Sequence, residues 1–231
     1  TLNNAVEVGG PWMSRISASL STSPLCPLTL TLPAIPSLQD LHMHHMISRG
    51  SFGTVWLASR DDDDTFVAVK VLPKSMLKER GMEEAVRQEA KCMHLMRNSK
   101  HTVSLLSAFE DAKAVYLVMD FLIGGELLTL MMRRGVVPWH EAAFYTSEIS
   151  AALHTMHELG IVYRDLKPEN VLLDAKGHVK LVDFGFAEHL GTSGESKRFC
   201  GSPFYVAPEM LTTGGTGHHD TRIDWWALGV L

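Results

Sequence analysis

From Ile47 the chain alternates apolar and polar positions with a period of two. The run Ile-Ser-Arg-Gly-Ser-Phe-Gly-Thr-Val-Trp-Leu-Ala predicts a strand, a glycine-containing turn and a returning strand. Asp61 to Asp64 separate this hairpin from the next strand and read as a solvated tip. In that strand, Thr-Phe-Val-Ala-Val-Lys-Val-Leu, alternation places Phe66, Ala68, Lys70 and Leu72 on one face. The period then lengthens: Met82, Val86, Met93 and Met96 form a helical stripe, and Glu89 falls on it. Two further strands are predicted over Thr102 to Phe109 and Ala114 to Met119. Beyond Glu126 the pattern is helical, with Tyr145, Ile149, Ala152, Leu153, Met156 and Leu159 stepping by three and four and Gly160 suited to a C-terminal cap. Strands followed by helices predict an α+β architecture.

Two features interrupt these patterns with chemistry. A lysine on an otherwise apolar face needs a partner, and Glu89, 19 residues after Lys70, supplies the opposite charge from an inward helix face. The stretch Tyr163-Arg164-Asp165-Leu166-Lys167-Pro168-Glu169-Asn170-Val171-Leu172-Leu173 then sets an aspartate, a lysine and an asparagine within six residues, and Asp183-Phe184-Gly185 follows ten residues on. Those side chains suit a magnesium-phosphate site. Phosphoryl transfer needs an oriented hydroxyl, hard oxygen ligands for metal, and cations that neutralise the migrating group.

Composition narrows the setting. A chain of 231 residues, 45% hydrophobic and 20% charged, can bury a core, and its net charge of -5 argues against a nucleic-acid surface. Cys26, Cys92 and Cys200 are odd in number and lack paired metal spacing, which fits a reducing compartment. No stretch approaches 18 apolar residues, so no membrane span is expected. Between residues 9 and 39 the only charge is Arg15, in a Ser, Thr, Leu and Pro-rich run, so residues 1–40 are expected to form a flexible extension ahead of a domain at 41–231. His42, His44 and His45 are read as decorating a first strand, since no carboxylate or cysteine completes a metal site. Thr1 as first residue suggests a processed or partial chain.

The central loop and the Asp-Phe-Gly triplet resemble the catalytic and metal-binding loops of eukaryotic protein kinases. Lys167-Pro168-Glu169 is similar to the serine/threonine class. Asp183-Phe-Gly-Phe-Ala, Cys200-Gly201-Ser202-Pro203 through Pro208-Glu209, and Asp224-Trp-Trp-Ala resemble the AGC group, which includes the cyclic-nucleotide-dependent kinases. The resemblance implies a two-lobed α+β fold: a small antiparallel sheet with one helix over 41–119, a hinge at 120–125, and a mainly helical, incomplete lobe from 126 to 231. Family members continue past the position of Leu231 with further helices, including an arginine that pairs with the position of Glu209.

The resemblance also implies roles. Asp165 would align the substrate hydroxyl, Lys167 would neutralise the transferring phosphate, and Lys70 with Glu89 would hold the nucleotide phosphates; Asn170 and Asp183 would bind magnesium. Ser48, Gly50 and Gly53 line the phosphate loop, with Ser48 where the family has its first glycine. Val55, Ala68 and Leu172 match the residues around adenine, Met119 is the gatekeeper, and the backbone of Asp120 and Leu122 faces the base. Phe184, Tyr163, Met93 and Leu105 match four side chains that stack in active kinases. Glu126 and Glu169 match positions that receive arginines before the phosphoacceptor, with Glu126 open also to a ribose role, and Ser202 lies in the substrate-docking segment. The implied cofactors are ATP and Mg2+, the partners basic protein substrates, and the location the cytoplasm and also the nucleus. A catalytically silent nucleotide-binding or scaffolding fragment is the alternative in another class.

The activation segment departs from the pattern. Arg198 stands where AGC kinases carry a phosphorylated threonine, Glu188 where they carry a cation, and Ala85 where a histidine is common. A reversed pair of Glu188 with Arg198 is expected to order the segment without phosphorylation, with Ser196 as a residue that phosphorylation would direct to Arg164.

Overall fold

Residues 37–50, 53–212 and 218–231 are described by the computed structural model, so most of the proline-rich run lies outside the described residues. Its last residues form one 3-10 turn, Leu38–Asp40, where the Ser37 hydroxyl accepts from the Gln39 amide at 3.2 Å and the Asp40 carboxylate accepts from the Ser37 amide at 3.0 Å. The chain divides into two units, one of residues up to 91 together with 104–121, the other of 92–103 and 122–231.

The first unit is a five-stranded antiparallel sheet of β1 (Leu41–Arg49), β2 (Thr54–Arg60), β3 (Phe66–Pro73), β4 (Leu105–Glu110) and β5 (Ala114–Asp120). The spatial order is β1-β2-β3-β5-β4. Val67 and Val69 of β3 are fully buried with Ala58, Phe109, Tyr116 and Val118, and Phe109 stacks on Tyr116 at 5.0 Å. The opposite face of β3 carries Ala68, Lys70 and Leu72. Phe66, expected to face inward with them, is 53% exposed. It sits beside the hairpin tip, and among the described residues its ring meets His44 and Phe121. At that tip Arg60 holds Asp62 at 2.5 Å, as a solvated turn requires. His42, His44 and His45 are exposed on β1, and among the described residues no group of three His, Cys, Asp or Glu side chains is arranged to hold a metal.

Pro73 ends β3 and opens α1 (Lys74–Glu79), a short helix the sequence pattern did not announce, so two helices rather than one accompany the sheet's strands. The second is α2 (Glu83–Leu95), whose Val86, Glu89 and Ala90 are buried. Its last residues, Cys92–Leu95, belong with the second unit.

The second unit contains α3 (Leu127–Arg134), α4 (Trp139–Glu158), α5 (Pro208–Thr212) and α6 (Arg222–Val230). Two small ribbons accompany them: β6 (Ile161–Val162) with β9 (Glu188–His189), and β7 (Val171–Leu173) with β8 (Val179–Leu181). On α4, Ile149, Ala152, Leu153 and Met156 are wholly buried, and Gly160 takes φ +67 just after the helix, as its capping role requires. Glu148 of α4 accepts from the Val179 amide at 2.7 Å and lies 2.6 Å from His178 Nδ1, fastening the β7–β8 ribbon to the helix. Thr102 and Val103, expected in β4, instead join β8: Thr102 bridges Leu181, and the Val103 amide donates to the Leu181 carbonyl at 2.9 Å. Leu181 offers backbone groups there that only a neighbouring extended segment satisfies.

Candidate active site

The loop after β6 is set by a buried carboxylate. Asp224, near the start of α6 and 1% exposed, accepts the amide of Tyr163 on Oδ2 at 2.9 Å and that of Arg164 on Oδ1 at 2.8 Å. His157 Nε2 lies 2.9 Å from the same Oδ2. This grip holds Arg164 at φ +69, a left-handed conformation that side chains avoid. Pro168 then starts a 3-10 turn, Pro168–Asn170, whose fixed φ brings Asn170 back beneath Asp165.

Asp165, 4% exposed, is surrounded by donors. Lys167 Nζ donates to Oδ2 at 2.8 Å, and Asn170 Nδ2 donates to both the backbone oxygen and Oδ2 at 2.9 and 2.8 Å. The Ser202 hydroxyl donates to Oδ1 at 2.8 Å while accepting from Lys167 Nζ at 2.9 Å. A carboxylate oxygen that accepts a serine hydroxyl, with an ammonium on that hydroxyl's oxygen, is the arrangement needed to hold a nucleophilic alcohol. The Gly201 backbone makes it reachable: at φ +107, a Cβ there would lie 2.6 Å from the Arg164 carbonyl.

Asp183 also adopts a left-handed φ, +53, and is exposed. The next side chain, Phe184, turns inward and meets Tyr163 edge-on at 5.6 Å, both fully buried, while the Tyr163 hydroxyl donates to the Val182 carbonyl. The Val182 amide donates to the Asn170 carbonyl at 3.0 Å, tying the two proposed metal ligands to one backbone frame. Asn170 spends its Nδ2 on Asp165, which turns its side-chain oxygen toward other uses. One amide oxygen and one exposed carboxylate fit a hard cation whose remaining ligands are phosphate oxygens and water.

In the first unit, Lys70 Nζ donates to Glu89 Oε1 at 2.5 Å, with side chains 13% and 4% exposed. Lys70 lies opposite Val55 and Leu117, and Ala68 opposite Leu57 and Met119, while Ser48 pairs with Val55. The Gly50 amide donates to the Gly53 carbonyl at 2.9 Å. A Cβ on Gly53 would come within 2.2 Å of the Val71 carbonyl, so this position needs glycine for packing alone. Met119 is 8% exposed near the end of β5, Leu105 stands opposite it on β4, and Asp120 closes β5.

Other candidate residues lie in the second unit. Leu122 is half-buried, Met93 is 1% exposed, and Leu172 lies in β7 and bridges Glu126, which is exposed at the start of α3. Glu169 is exposed, and the pKa of the Tyr205 hydroxyl is pushed above its ordinary value by burial and next by the Glu169 charge.

The expected Glu188–Arg198 pair does not form. Glu188 Oε2 meets Arg164 Nη1 at 2.5 Å and accepts from the Ser196 hydroxyl at 2.7 Å. Arg198 takes part through its backbone alone, its amide donating to Ser196 Oγ at 3.2 Å, and its side chain is exposed. The buried Arg164 guanidinium has the stronger need for an anion than a solvated one. Two residues have structural weight that the sequence did not show: Asp224 was read only as part of a subgroup motif, and Glu148 was not singled out. A buried acid on the apolar stripe of α4 was the available sign for Glu148.

Residues 41–231 match the protein kinase domain family. The chain is similar to the serine/threonine-protein kinase Sgk1 of Fundulus heteroclitus, 42% identical over 195 residues covering 83% of this chain and 44% of that protein. The Sgk1 of Rattus norvegicus is 41% identical over the same length and shares. The cAMP-dependent protein kinase catalytic subunit of Arthrobotrys oligospora is 39% identical over 197 residues, 84% of this chain and 36% of that protein. The chain thus spans less than half the length of these curated relatives. With the match extending through both units and across the loop built around Asp165, the chain belongs to the protein kinase domain family.

Proposed function

We propose that this chain is the catalytic domain of a serine/threonine protein kinase of the AGC group, which transfers the γ-phosphoryl of Mg-ATP to protein hydroxyls preceded by basic residues. Family membership implies ATP and a divalent metal; the choice of magnesium rests on the asparagine and aspartate oxygens of Asn170 and Asp183. The observation that carries the reading is the Ser202 hydroxyl seated on Asp165 Oδ1 with Lys167 on its oxygen, an internal analogue of a bound phosphoacceptor.

Bound Mg-ATP would supply the transferable phosphoryl group and neutralise its charge. The chain's own residues do the rest. Asp165 would orient the incoming hydroxyl and take its proton as that oxygen bonds the γ-phosphorus and the bond to the β,γ-bridging oxygen breaks with ADP as the leaving group, and Lys167 would compensate charge on the transferred group. Lys70, kept in place by Glu89, would offer phosphate oxygens a fixed cation. Glu126 and Glu169, both exposed carboxylates, accept guanidinium groups of the substrate peptide. The odd number of cysteines, without paired metal spacing, supports a reducing location, the cytoplasm and nucleus.

The test is phosphate transfer from labelled ATP to arginine-containing serine peptides by the full-length protein. Asp165→Asn should lower the rate by about 10² to 10⁴. Glu126→Ala should reduce the preference for arginine over alanine before the serine. Turnover of Asp165→Asn equal to wild type would overturn the mechanism, and an arginine preference unchanged by Glu126→Ala would remove the substrate assignment.

A further inference from the structure

We propose that Glu188 is a positioning residue: through Arg164 it orders the activation segment and the loop of Asp165 with no phosphate on the segment. Its consequence for turnover rests on the kinase reading above; its structural part does not.

The Arg164 side chain is 1% exposed, so its charge requires an anion within reach. Three of its partners are neutral: the Phe186 carbonyl at 2.7 Å, the Ser196 hydroxyl at 2.8 Å and the Arg198 carbonyl at 3.5 Å. Asp224 engages Arg164 only through the backbone amide. Among the described residues, Glu188 is therefore the one carboxylate on this guanidinium, at 2.5 Å. The sequence itself encodes the charge that a buried arginine demands.

The same carboxylate reaches forward along the chain. Ser196, 2% exposed, donates its hydroxyl to Glu188 and accepts on it from Arg164 and from the Arg198 amide. Its backbone pairs in both directions with His219, at 2.8 and 3.0 Å. Five residues later Gly201 packs against the Arg164 carbonyl, and Ser202 binds Asp165. The segment thus grips Arg164 with its first residues and Asp165 with its last. Removing the charge at Glu188 leaves a buried, uncompensated guanidinium between the two, and the segment must open to hydrate it.

The experiment uses the full-length protein after phosphatase treatment, with intact mass showing no phosphate. Amide hydrogen exchange over residues 188–202 is compared in wild type, Glu188→Gln and Ser196→Ala, alongside kcat, KM and the thermal midpoint. Glu188→Gln keeps shape and removes charge; Ser196→Ala removes neutral hydrogen bonds and keeps the ion pair. The dephosphorylated wild type should stay protected and active. Glu188→Gln should lose protection in 194–202 by about 10²-fold or more, since breaking a buried pair is costly, and the thermal midpoint should fall with it. Its kcat should fall at least about tenfold with KM for ATP unchanged, and Ser196→Ala should stay within about threefold of wild type. Fast exchange in the dephosphorylated wild type, or equal effects of the two substitutions, overturns the proposal. A protected segment in a wild type that transfers no phosphate upholds the role of Glu188 and sinks the kinase reading instead.

Discussion

Asp224→Ala is the substitution with the most calculable outcome. It removes an acceptor that serves the Tyr163 and Arg164 amides, each on its own oxygen, and that also contacts His157. Tyr163 is fully buried and Arg164 7% exposed, so neither amide finds bulk water without movement of the loop. An orphaned buried donor costs about 1–3 kcal/mol, so the pair together should lose about 2–6 kcal/mol. Asp224→Asn is not a safe replacement. Because both oxygens are used, the asparagine nitrogen must face a backbone N–H, and about half of the loss should persist. His157→Ala should cost less than either, since both backbone donors keep their acceptor. The assays are urea unfolding and site-resolved hydrogen exchange at the two amides, with phosphotransfer as a third reading because Asp165 follows directly. An Asp224→Ala protein within about 0.5 kcal/mol of wild type, the ordinary range for surface changes, with both amides still protected, would refute the reasoning.

Three further outcomes follow from local chemistry. Burial and then the Arg97 cation depress the His94 pKa, so the unfolded chain binds its proton first as pH falls; stability should be full above about 6.5 and decline below it, by at most about 1.4 kcal/mol per pH unit. His94→Gln should flatten that acid limb in unfolding measured from pH 7 to 5, and an unchanged limb would remove the assignment. Burial pushes the Cys200 thiol up despite the nearby Arg164 and Arg198 cations, so alkylation by iodoacetamide at neutral pH should be about tenfold slower than for a free cysteine; equal rates would contradict it. Gly53→Ala should cost about 1–3 kcal/mol by overpacking against the Val71 carbonyl, read by thermal melting, and an unchanged midpoint would show that the strand yields freely.

How far the sequence reached depended on whether a signal was local. The Lys70–Glu89 pair needed only two periodicities, one of two residues and one of 3.6, to bring opposite charges to inward faces. The α4 stripe was equally legible, because Ile149, Ala152, Leu153 and Met156 step correctly over about two turns. Short elements were not: α1 has six residues and follows a proline, which reads as a breaker as readily as a helix start. Thr102 was expected to begin the strand that runs to Phe109, and counting along the chain cannot show that Leu181 is its neighbour. The Glu188 partner failed for a related reason. The resemblance to family positions set it beside Arg198, whereas burial of Arg164 decides which cation needs the carboxylate most.

Backbone strain supplies a further link between fold and site. Among described non-glycine residues, positive φ occurs at Asp64, Arg164 and Asp183. Asp64 sits in a hairpin tip, where a short polar side chain tolerates that region. The other two adjoin the chemistry: Arg164 precedes the proposed base, and Asp183 is itself a proposed metal ligand. Such conformations cost about 1–3 kcal/mol each and persist only where surrounding contacts over-determine them. At Arg164 those contacts are Asp224 on the amide, Gly201 against the carbonyl and Glu188 on the guanidinium. At Asp183 they include the buried Phe184 that follows and the Val182 amide bonded to Asn170 just before. A glycine at either place would remove the strain yet discard the side chain, so relief of strain alone cannot restore function. The left-handed turn reverses the direction of successive side chains, which sends Arg164 to the activation segment while its neighbour Asp165 faces Lys167, Asn170 and Ser202. One strained residue thereby connects the order of a distant loop to the orientation of the carboxylate that would receive the proton.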